Sequence, residues 1–331
     1  LAAISQPGAN EIERLGLIEA DLADCYAAAV LQLLQQSGVQ ASQIEAIGCH
    51  GQTIRHRPNA RQPFSYQIGD MHRLAALTGI RVIGDFRRKD IAFGGQGAPL
   101  VPAFHQAIFA DPTKGRCILN IGGIANLTLL LPHQPILGFD TGPGNCLLDN
   151  WVELHRQQSY DAAGAFAASG QLLPDLLVQL LSDPYFAQTG PKSTGREDFN
   201  LEWLDEQIAD WRNDLEYDEL EDSPENIQAT LMKLTTRAIK KAIYRSDMDT
   251  GEVYVCGGGA YNSHLLEQLR WRLRKHNWSV QTTSAIGLAP TWVEATAFAW
   301  LAMRFIQQLS GNLPAVTGAQ GNRILGTITA V

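Results

Sequence analysis

Apolar residues recur every three or four positions near the start of the chain, which is the spacing that places side chains on one face of a helix. This pattern predicts a long helix that Asn10 caps and Gly38 ends. Its apolar stripe, which we expect to lie in the core, comprises Leu15, Ile18, Leu22, Tyr26, Val30 and Leu33. Further helices are predicted from residue 70 to Gly79, near Val101, from Leu147 and over residues 226–244, 263–275 and 292–309.

Short runs of strand-forming residues lie between these helices. They cover residues 44–49, 53–57, 64–68, 80–84, 118–121, 126–131, 136–139, 251–256 and 279–283. Because strands alternate with helices, the pattern predicts an α/β fold with largely parallel, helix-covered sheets. The β-rich pattern restarts near Cys117, so we expect two domains, residues 1–115 and 116–331. We expect the helix 292–309 to pack back toward the first domain and the tail from Gly311 to be rich in loops.

Three strand-forming runs break into glycines beside a small polar or acidic residue, at residues 118–130, 136–145 and 253–262. A strand that ends in glycine lets backbone N–H groups approach an anion, so three such turns predict a nucleotide cleft. One of them alone is more typical of a plain hairpin. Neither G-x-x-x-x-G-K-[ST] nor a helix-opening G-x-G-x-x-G occurs, which argues against P-loop and Rossmann sites.

Composition narrows the class of ligand. The chain has 331 residues, 45% of them hydrophobic, and a formal net charge of −8. An acidic protein is poorly suited to a phosphate backbone, so we expect a small-molecule ligand and no nucleic acid. The five cysteines form no C-x-x-C pair, and they indicate reduced packing residues of a cytoplasmic protein. No segment resembles a signal peptide or a membrane span, so we expect no membrane partner.

Asp85 stands where a hydrophobic strand ends, which in a parallel sheet is the end that faces ligands. The same position also suits a carboxylate that caps the next turn or pairs with Arg87 or Arg88, and the spacing favours neither alternative. The glycine-rich loop 94–99 exposes its backbone before the helix near Val101. Such a loop usually lies against a ligand or against another segment of the chain.

Other polar residues also have two interpretations. Asp140 follows a strand and suits Mg²⁺ held through water near phosphates, or an Asx-turn that closes a hairpin. The segments 291–294 and 194–197 have the form of capping boxes, which explains Glu294 and Glu197 structurally. His50 and His56 have no partner at metal-ligand spacing and are predicted to be polar turn residues. The acidic run 214–225 indicates a solvated helix end or loop.

Eight segments, in order and spacing, resemble the anhydro-N-acetylmuramic acid kinase family from about His50 to the C-terminus. They are residues 48–53 (GCHGQT), 67–70 (QIGD), 84–92 (GDFRRKDIA), 94–102 (GGQGAPLVP), 120–126 (NIGGIAN), 140–145 (DTGPGN), 192–197 (KSTGRE) and 256–259 (CGGG). The resemblance implies an actin/hexokinase-like fold, in which two domains, each a mixed, mostly parallel sheet flanked by helices, close over a cleft. It also implies ATP-dependent opening of the 1,6-anhydro ring of anhydro-N-acetylmuramic acid and phosphorylation of its 6-oxygen during peptidoglycan recycling.

The same resemblance assigns roles to individual residues. It implies that Asp85 is the general base, which takes a proton from the water that attacks the anomeric carbon. The residues implied on the sugar side are Gln52, Thr53, Arg87, Gly97, Arg196 and Glu294. Those implied on the nucleotide side are Gly122, Gly123, Asn126, Asp140, Gly142, Gly144, Gly257 and Gly258. Asp140 is also implied to hold Mg²⁺ through water. We further expect a homodimer.

The sequence departs from the family at its start. The family begins with a strand and an S-G-T-S-x-D-G loop that grips the ATP phosphates, and no such segment precedes the predicted Asn10 helix. We therefore expect the chain as printed to bind ADP weakly and to turn over negligibly. The departure leaves open a non-catalytic sugar or nucleotide sensor on the same fold. An actin-like ATPase whose cycle drives partner binding is a third alternative, which the motifs around Asp85 and Arg196 argue against.

Overall fold

The computed structural model describes residues 4, 8–189, 192–214, 222–244 and 250–331. By their contacts, residues group into a first unit, Leu1–Ala107 with Glu294–Val331, and a second unit, Ile108–Val293. The helices of the first unit are α1 (Glu11–Ser37), α2 (Met71–Thr78), α3 (Phe86–Ala92), α4 (Val101–Phe109), α12 (Val293–Ile306) and α13 (Pro314–Thr317). Helix α4 ends in the second unit, and α12 begins in it. Its strands are β1 (Ile47–Gly48), β2 (Gln52–Arg57), β3 (Phe64–Ile68), β4 (Val82–Gly84) and β10 (Thr327–Thr329).

The second unit contains the remaining elements of the described chain. Its helices are α5 (Cys146–Arg156), α6 (Ala165–Ser169), α7 (Pro174–Leu181), α8 (Pro184–Ala187), α9 (Leu201–Asp214), α10 (Pro224–Tyr244) and α11 (Ser263–Leu273). Its strands are β5 (Arg116–Ile121), β6 (Ile124–Leu130), β7 (Leu137–Pro143), β8 (Gly251–Cys256) and β9 (Trp278–Thr282). In the part of the chain that is described, no helix is long and apolar enough to cross a membrane.

The first-unit sheet is built around β4. Strand β1 pairs with β4 in parallel and β10 pairs with it antiparallel, so Ile83 lies between Gly48 and Ile328. Strands β2 and β3 form a separate antiparallel hairpin. The tail from Gly311 is rich in loops, as predicted, and it also supplies the short elements α13 and β10. Strand β10 was not predicted, because a three-residue strand is too short to show an alternating pattern.

Helix α1 is confirmed, but its predicted core stripe is wrong. The buried residues of α1 are Ala23 and Ala27, whereas Leu33 is half exposed. Ala27 packs in a cluster with Cys49, Leu74, Ala75 and Val82. Small side chains allow this close approach, which leaves the larger apolar residues at the edges of the contact.

The second-unit sheet has the strand order β7-β6-β5-β8-β9. Strands β5, β6 and β7 are antiparallel because short turns connect them, whereas β5, β8 and β9 pair in parallel. Both the first-unit sheet and this one are therefore mixed, and helices flank them. The predicted α/β class is confirmed, with more antiparallel pairing than the alternation of elements suggested.

Two predicted capping boxes fail because nearby residues compete for the same helix start. No helix begins at Thr194, and Asn200 caps α9 instead by accepting the N–H of Trp203 at 2.9 Å. Thr291 lies inside a 3₁₀ turn that follows Ala289, since Pro290 favours the first helical position. Helix α3 was not predicted. Residues 215–221 of the acidic run lie outside the described residues.

Four of the five cysteines are buried, as expected of packing residues. All five are free thiols, and all except Cys25 are buried. Burial raises the pKa of Cys117 and Cys146, so both thiols stay protonated at neutral pH.

Candidate active site

Asp85 directly follows β4 and precedes α3 in the first unit. Its backbone is left-handed, with φ of 52°, a conformation that only Asn, Asp and a few other non-glycine residues adopt readily. Both carboxylate oxygens pair with Arg88, at 2.7 Å from Nε to Oδ1 and 2.6 Å from Nη2 to Oδ2. One of the alternatives from the sequence, a pairing with Arg88, is therefore present, and Asp85 does not cap α3 with its side chain.

A cavity of about 180 Å³ lies beside this ion pair. Its lining includes Glu19, Tyr66, Gln67, Asp85 and Arg88. The side chain of Gln67 is held by β2, because its Nε2 donates to Thr53 Oγ1 at 3.1 Å. Gln52 lies one residue earlier on β2, is exposed, and pairs with Ile68. The cavity thus joins the end of β4 to the β2–β3 hairpin.

Arg87 points to different partners from those of Arg88. Its Nε and Nη2 lie 3.2 and 2.9 Å from His50 Nε2, and its Nη1 donates to the carbonyl of Gly97 at 2.8 Å. Burial lowers the pKa of Arg87 to about 10, and burial with the nearby guanidinium lowers the pKa of His50 to about 3. The imidazole is therefore neutral and accepts from Arg87 through Nε2. The sequence analysis missed this role and predicted only a polar turn residue.

The loop 94–99 is held by Asp90, a buried residue that the sequence analysis did not select. Asp90 Oδ2 accepts the N–H of Gly97, and Oδ1 accepts from Asn312 Nδ2 and Thr317 Oγ1, each at 2.9 Å. A Cβ on Gly95 would lie 2.1 Å from Asp90 Oδ2, so this approach requires glycine. The loop was predicted to lie against a ligand or against another segment of the chain. The structure shows another segment of the chain against it.

Glu294 is exposed in the first turn of α12. Its charge is the largest favourable electrostatic influence on the guanidinium of Arg87, whose pKa it raises against the effect of burial. The charge of Glu294 thus acts on Arg87 in the first-unit cluster of Asp85, Arg87 and His50. This interaction does not depend on a helix cap at Thr291, which lies inside the 3₁₀ turn.

Backbone hydrogen bonds bring two of the glycine turns together in the second unit. The carbonyl of Gly123 accepts the N–H groups of Gly144 and Cys146 at 2.8 and 3.0 Å, and Gly122 accepts from Asn145 at 2.8 Å. The β5–β6 turn therefore lies against the N-terminus of α5. A Cβ on Gly144 would lie 2.4 Å from the Gly122 carbonyl oxygen, so this corner has no space for a side chain.

The third glycine turn follows β8 and borders a second-unit cavity of about 430 Å³. This volume is within the range of small-ligand pockets. Gly257 has φ of 78°, and a Cβ there would lie 2.4 Å from Asn120 Oδ1. The cavity is lined by Asn145, Leu148, Asp149, Ser159, Tyr160, Asp161, Ala163, Gly258, Gly259, Tyr261 and Asn262. Residues from two of the three predicted turns thus share one pocket.

Gly142 and Asn126 have other surroundings. Gly142 has φ of 136° and faces Phe186, whose ring would lie 2.9 Å from a Cβ. Asn126 pairs with Asp140 across β6 and β7. Neither residue lines the 430 Å³ cavity.

Asp140 is a partly buried carboxylate with one hydrogen bond from the segment that follows α8. Its Oδ2 accepts the N–H of Thr194 at 3.0 Å, and its backbone N–H donates to the carbonyl of Lys192 at 2.9 Å. Burial raises the pKa of Asp140 to about 6. No group of three His, Cys, Asp or Glu residues among the described positions has the arrangement of a metal site. A cation here would have one protein carboxylate and take its other ligands from phosphate and water, which suits Mg²⁺.

Arg196 lies in the second unit beside the β5–β6 turn. A Cβ on Gly123 would lie 2.5 Å from its Nε and 2.7 Å from its Nη2. The structure therefore places Arg196 with the glycine turns that were predicted for the nucleotide, although the sequence resemblance assigned it to the sugar.

Comparison with known proteins identifies the family. The family model described as anhydro-N-acetylmuramic acid kinase matches residues 1–331. A curated protein of that name from Acinetobacter baylyi is 65% identical over 334 residues, covering 100% of this chain and 88% of the relative. Relatives of the same name from Shewanella amazonensis and Saccharophagus degradans are 52% and 51% identical and cover 98% and 97% of this chain, and 86% and 85% of their own lengths. The resemblance recognised in the motifs is confirmed, and this chain belongs to the anhydro-N-acetylmuramic acid kinase family.

Proposed function

We propose that this protein uses ATP to open the 1,6-anhydro ring of anhydro-N-acetylmuramic acid and phosphorylate its 6-oxygen. Water attacks the anomeric carbon, and the bond from that carbon to the 6-oxygen breaks. The freed 6-oxygen forms a bond to the γ-phosphorus as ADP leaves with the bridging oxygen. The water proton passes to a protein base, so the products are ADP and N-acetylmuramic acid 6-phosphate.

The observation that carries this proposal is the position of Asp85 at the end of β4, where it lines the 180 Å³ cavity. A carboxylate there can accept the proton of the attacking water, a role that contributes roughly 10²–10⁴-fold to the rate. Arg88 fixes the direction of both carboxylate oxygens. Asp85 is proposed as the base, and the first-unit sugar set as Gln52, Thr53, Arg87, Gly97 and Glu294.

The second-unit glycine turns are proposed to hold the nucleotide. The adenosine would occupy the 430 Å³ cavity beside Gly258, and the phosphates would lie toward Gly122, Gly123 and Gly144. The remaining members of the proposed nucleotide set, Asn126, Gly142 and Gly257, shape the strands and turns around these residues. Asp140 would hold Mg²⁺ through water, and the ion when bound would offset phosphate charge.

Four further properties are part of the proposal. The protein acts in the cytoplasm and in peptidoglycan recycling, forms a homodimer and has an actin/hexokinase-like fold. The sensor alternative receives no support from the relatives, which are named as kinases. The proposed reaction consumes ATP, the anhydro-sugar and one water molecule.

Solvent isotope labelling tests the reaction. The complete gene product is incubated with ATP and the anhydro-sugar in H₂¹⁸O, and the ¹⁸O content of each product is measured by mass spectrometry. The proposal predicts one ¹⁸O at the anomeric carbon and none in the transferred phosphoryl group. Label in inorganic phosphate without sugar phosphate would show plain ATP hydrolysis and reject the proposed function.

A further inference from the structure

The guanidinium of Arg196 packs directly on the β5–β6 turn. The three atoms nearest to a Cβ built on Gly123 are all from Arg196, at 2.5, 2.7 and 2.9 Å. Because Gly123 has no Cβ, this guanidinium can approach the backbone of the turn closely. This contact lies at the corner where Gly144, Asn145 and Cys146 donate to the same turn.

The positive charge of Arg196 is close to the start of α5. It lowers the pKa values of Cys146 and Asp149, although burial has the larger, opposite effect on both. Asp149 lines the 430 Å³ cavity, so the charge of Arg196 acts on a residue of that pocket. Across the described ranges, no carboxylate lies within ion-pairing distance of Arg196.

The backbone that carries Arg196 is anchored just before it. Asp140 accepts the N–H of Thr194 and donates its own N–H to the carbonyl of Lys192. The Lys192 ammonium donates to the carbonyl of Tyr185 at 2.7 Å, and the Tyr185 hydroxyl donates to the carbonyl of Asp140 at 2.8 Å. These bonds hold the segment against β7, while the Arg196 side chain extends to Gly123.

We infer that Arg196 binds the terminal phosphates of ATP and does not bind the sugar, in contrast to the role implied by the sequence resemblance. This inference rests on the proposed function. A guanidinium makes two parallel hydrogen bonds to phosphate oxygens, and its planar form suits close packing on a glycine turn. Asp140 is then a positioning residue for the Arg196 segment as well as the proposed cation ligand.

Calorimetric titrations of the complete gene product separate the two roles. Adenosine, ADP, a non-hydrolysable imido analogue of ATP and the anhydro-sugar are titrated separately into the wild type, Arg196→Ala and Arg196→Lys. We expect Arg196→Ala to weaken the ATP analogue by about tenfold or more and adenosine by less than about twofold. The sugar should bind with unchanged affinity, and Arg196→Lys should be intermediate because it keeps the charge without the fork.

Arg274→Ala is the matched control, because it also removes one exposed arginine of the second unit. The 11-residue helix α11 separates Arg274 from Asn262, which lines the cavity, by about 16 Å. This variant should bind every ligand as the wild type does. Weaker sugar binding by Arg196→Ala with unchanged binding of the ATP analogue would overturn the inference, and so would equal losses for adenosine and the analogue. Failure of the wild type to bind any nucleotide would instead overturn the proposed function itself.

Discussion

The two candidate half-sites are built from different parts of the chain. In the first unit, Asp85, Arg87 and His50 are held by other side chains, through the Arg88 ion pair and the guanidinium–imidazole contact. In the second unit, the β5–β6 turn and the start of α5 are held by backbone N–H and carbonyl groups. The first half-site depends on the identity of side chains, and the second depends on their absence. Removing a side chain should therefore disrupt the first half-site, and adding one should disrupt the second.

The largest effect is expected at Asp85. Asp85→Asn keeps the shape of the side chain and removes the proton acceptor, so kcat should fall by roughly 10²–10⁴-fold while the unfolding temperature stays within a few degrees. ADP release in the presence of the anhydro-sugar measures this. Asp24→Asn is the control, since Asp24 is also paired with an arginine of the first unit but lies outside the cavity lining. Turnover within about tenfold of the wild type would remove Asp85 from the role of base.

A smaller but clear effect is expected at the glycine corner of the second unit. Gly144→Ala places a methyl group 2.4 Å from the Gly122 carbonyl oxygen, which should destabilise the protein by about 1–3 kcal/mol and weaken ADP binding. At Gly122 the nearest atom to a Cβ is 3.6 Å away, so Gly122→Ala should change stability by less than about 0.5 kcal/mol. Thermal unfolding with and without ADP compares the two variants. Equal stability would mean that close backbone packing does not define this corner.

His50 tests the side-chain network of the first unit. His50→Ala removes the acceptor of Nε and Nη2 of the partly buried Arg87 guanidinium, whose Nη1 keeps the Gly97 carbonyl. The loss should cost about 1–2 kcal/mol and raise KM for the sugar. His50→Gln offers a carbonyl oxygen and should recover part of both losses. The two variants are compared by unfolding and by kcat/KM for the sugar. Identical behaviour of Ala and Gln would show that the hydrogen bond to Arg87 is not what His50 contributes.

The smallest effect concerns Asp140 and has a defined pH dependence. Burial raises the pKa of Asp140 to about 6, above the ordinary range of an aspartate, so between about pH 4 and 6 the folded protein holds this proton and the unfolded chain releases it. The contribution of Asp140 to the free energy of unfolding is therefore lost as pH rises through this window. Asp140→Asn should be more stable than the wild type by up to about 1 kcal/mol at pH 7, after allowance for partial exposure, and show no gain near pH 4.

Paired melting curves of the wild type and Asp140→Asn at pH 4, 5, 6 and 7 check this dependence. Asp175→Asn is a suitable control, because Asp175 is exposed in the first turn of α7. A difference between wild type and Asp140→Asn that stays constant across these pH values would contradict the raised pKa.

Elements whose ends are marked by glycine or by other residues that stop a helix or strand could be predicted from the sequence. Strand β3 was predicted with its exact bounds, and α2 was predicted to end at Gly79, which is left-handed. The bounds of strand β8 were also predicted correctly, because it begins at Gly251 and Gly257 follows its last residue. The helix α3 was missed because it starts directly after β4 without a side-chain cap. Local patterns cannot show such an abrupt change of structure.

The same limit applies to the candidate sites. The glycine turns of the second unit could be predicted, because a strand that breaks into glycines is visible over ten residues. The His50–Arg87 contact joins positions 37 apart, and Asp90 joins Asn312 at a separation of 222. Tertiary packing decides these pairs. It also decides that Arg196 lies on Gly123, which the sequence resemblance alone did not indicate.

Hydrogen exchange with each ligand added alone tests the central claim, that the first unit holds the sugar and the second the nucleotide. Without ligand, exchange rates are measured for the complete gene product, and then again with saturating ADP or saturating anhydro-sugar. The account predicts that ADP first protects residues 120–126, 144–148 and 256–262, and that the sugar first protects residues 48–53, 66–70 and 84–88. ADP protection confined to residues around Asp85, or sugar protection confined to the glycine turns, would contradict the assignment of the two half-sites.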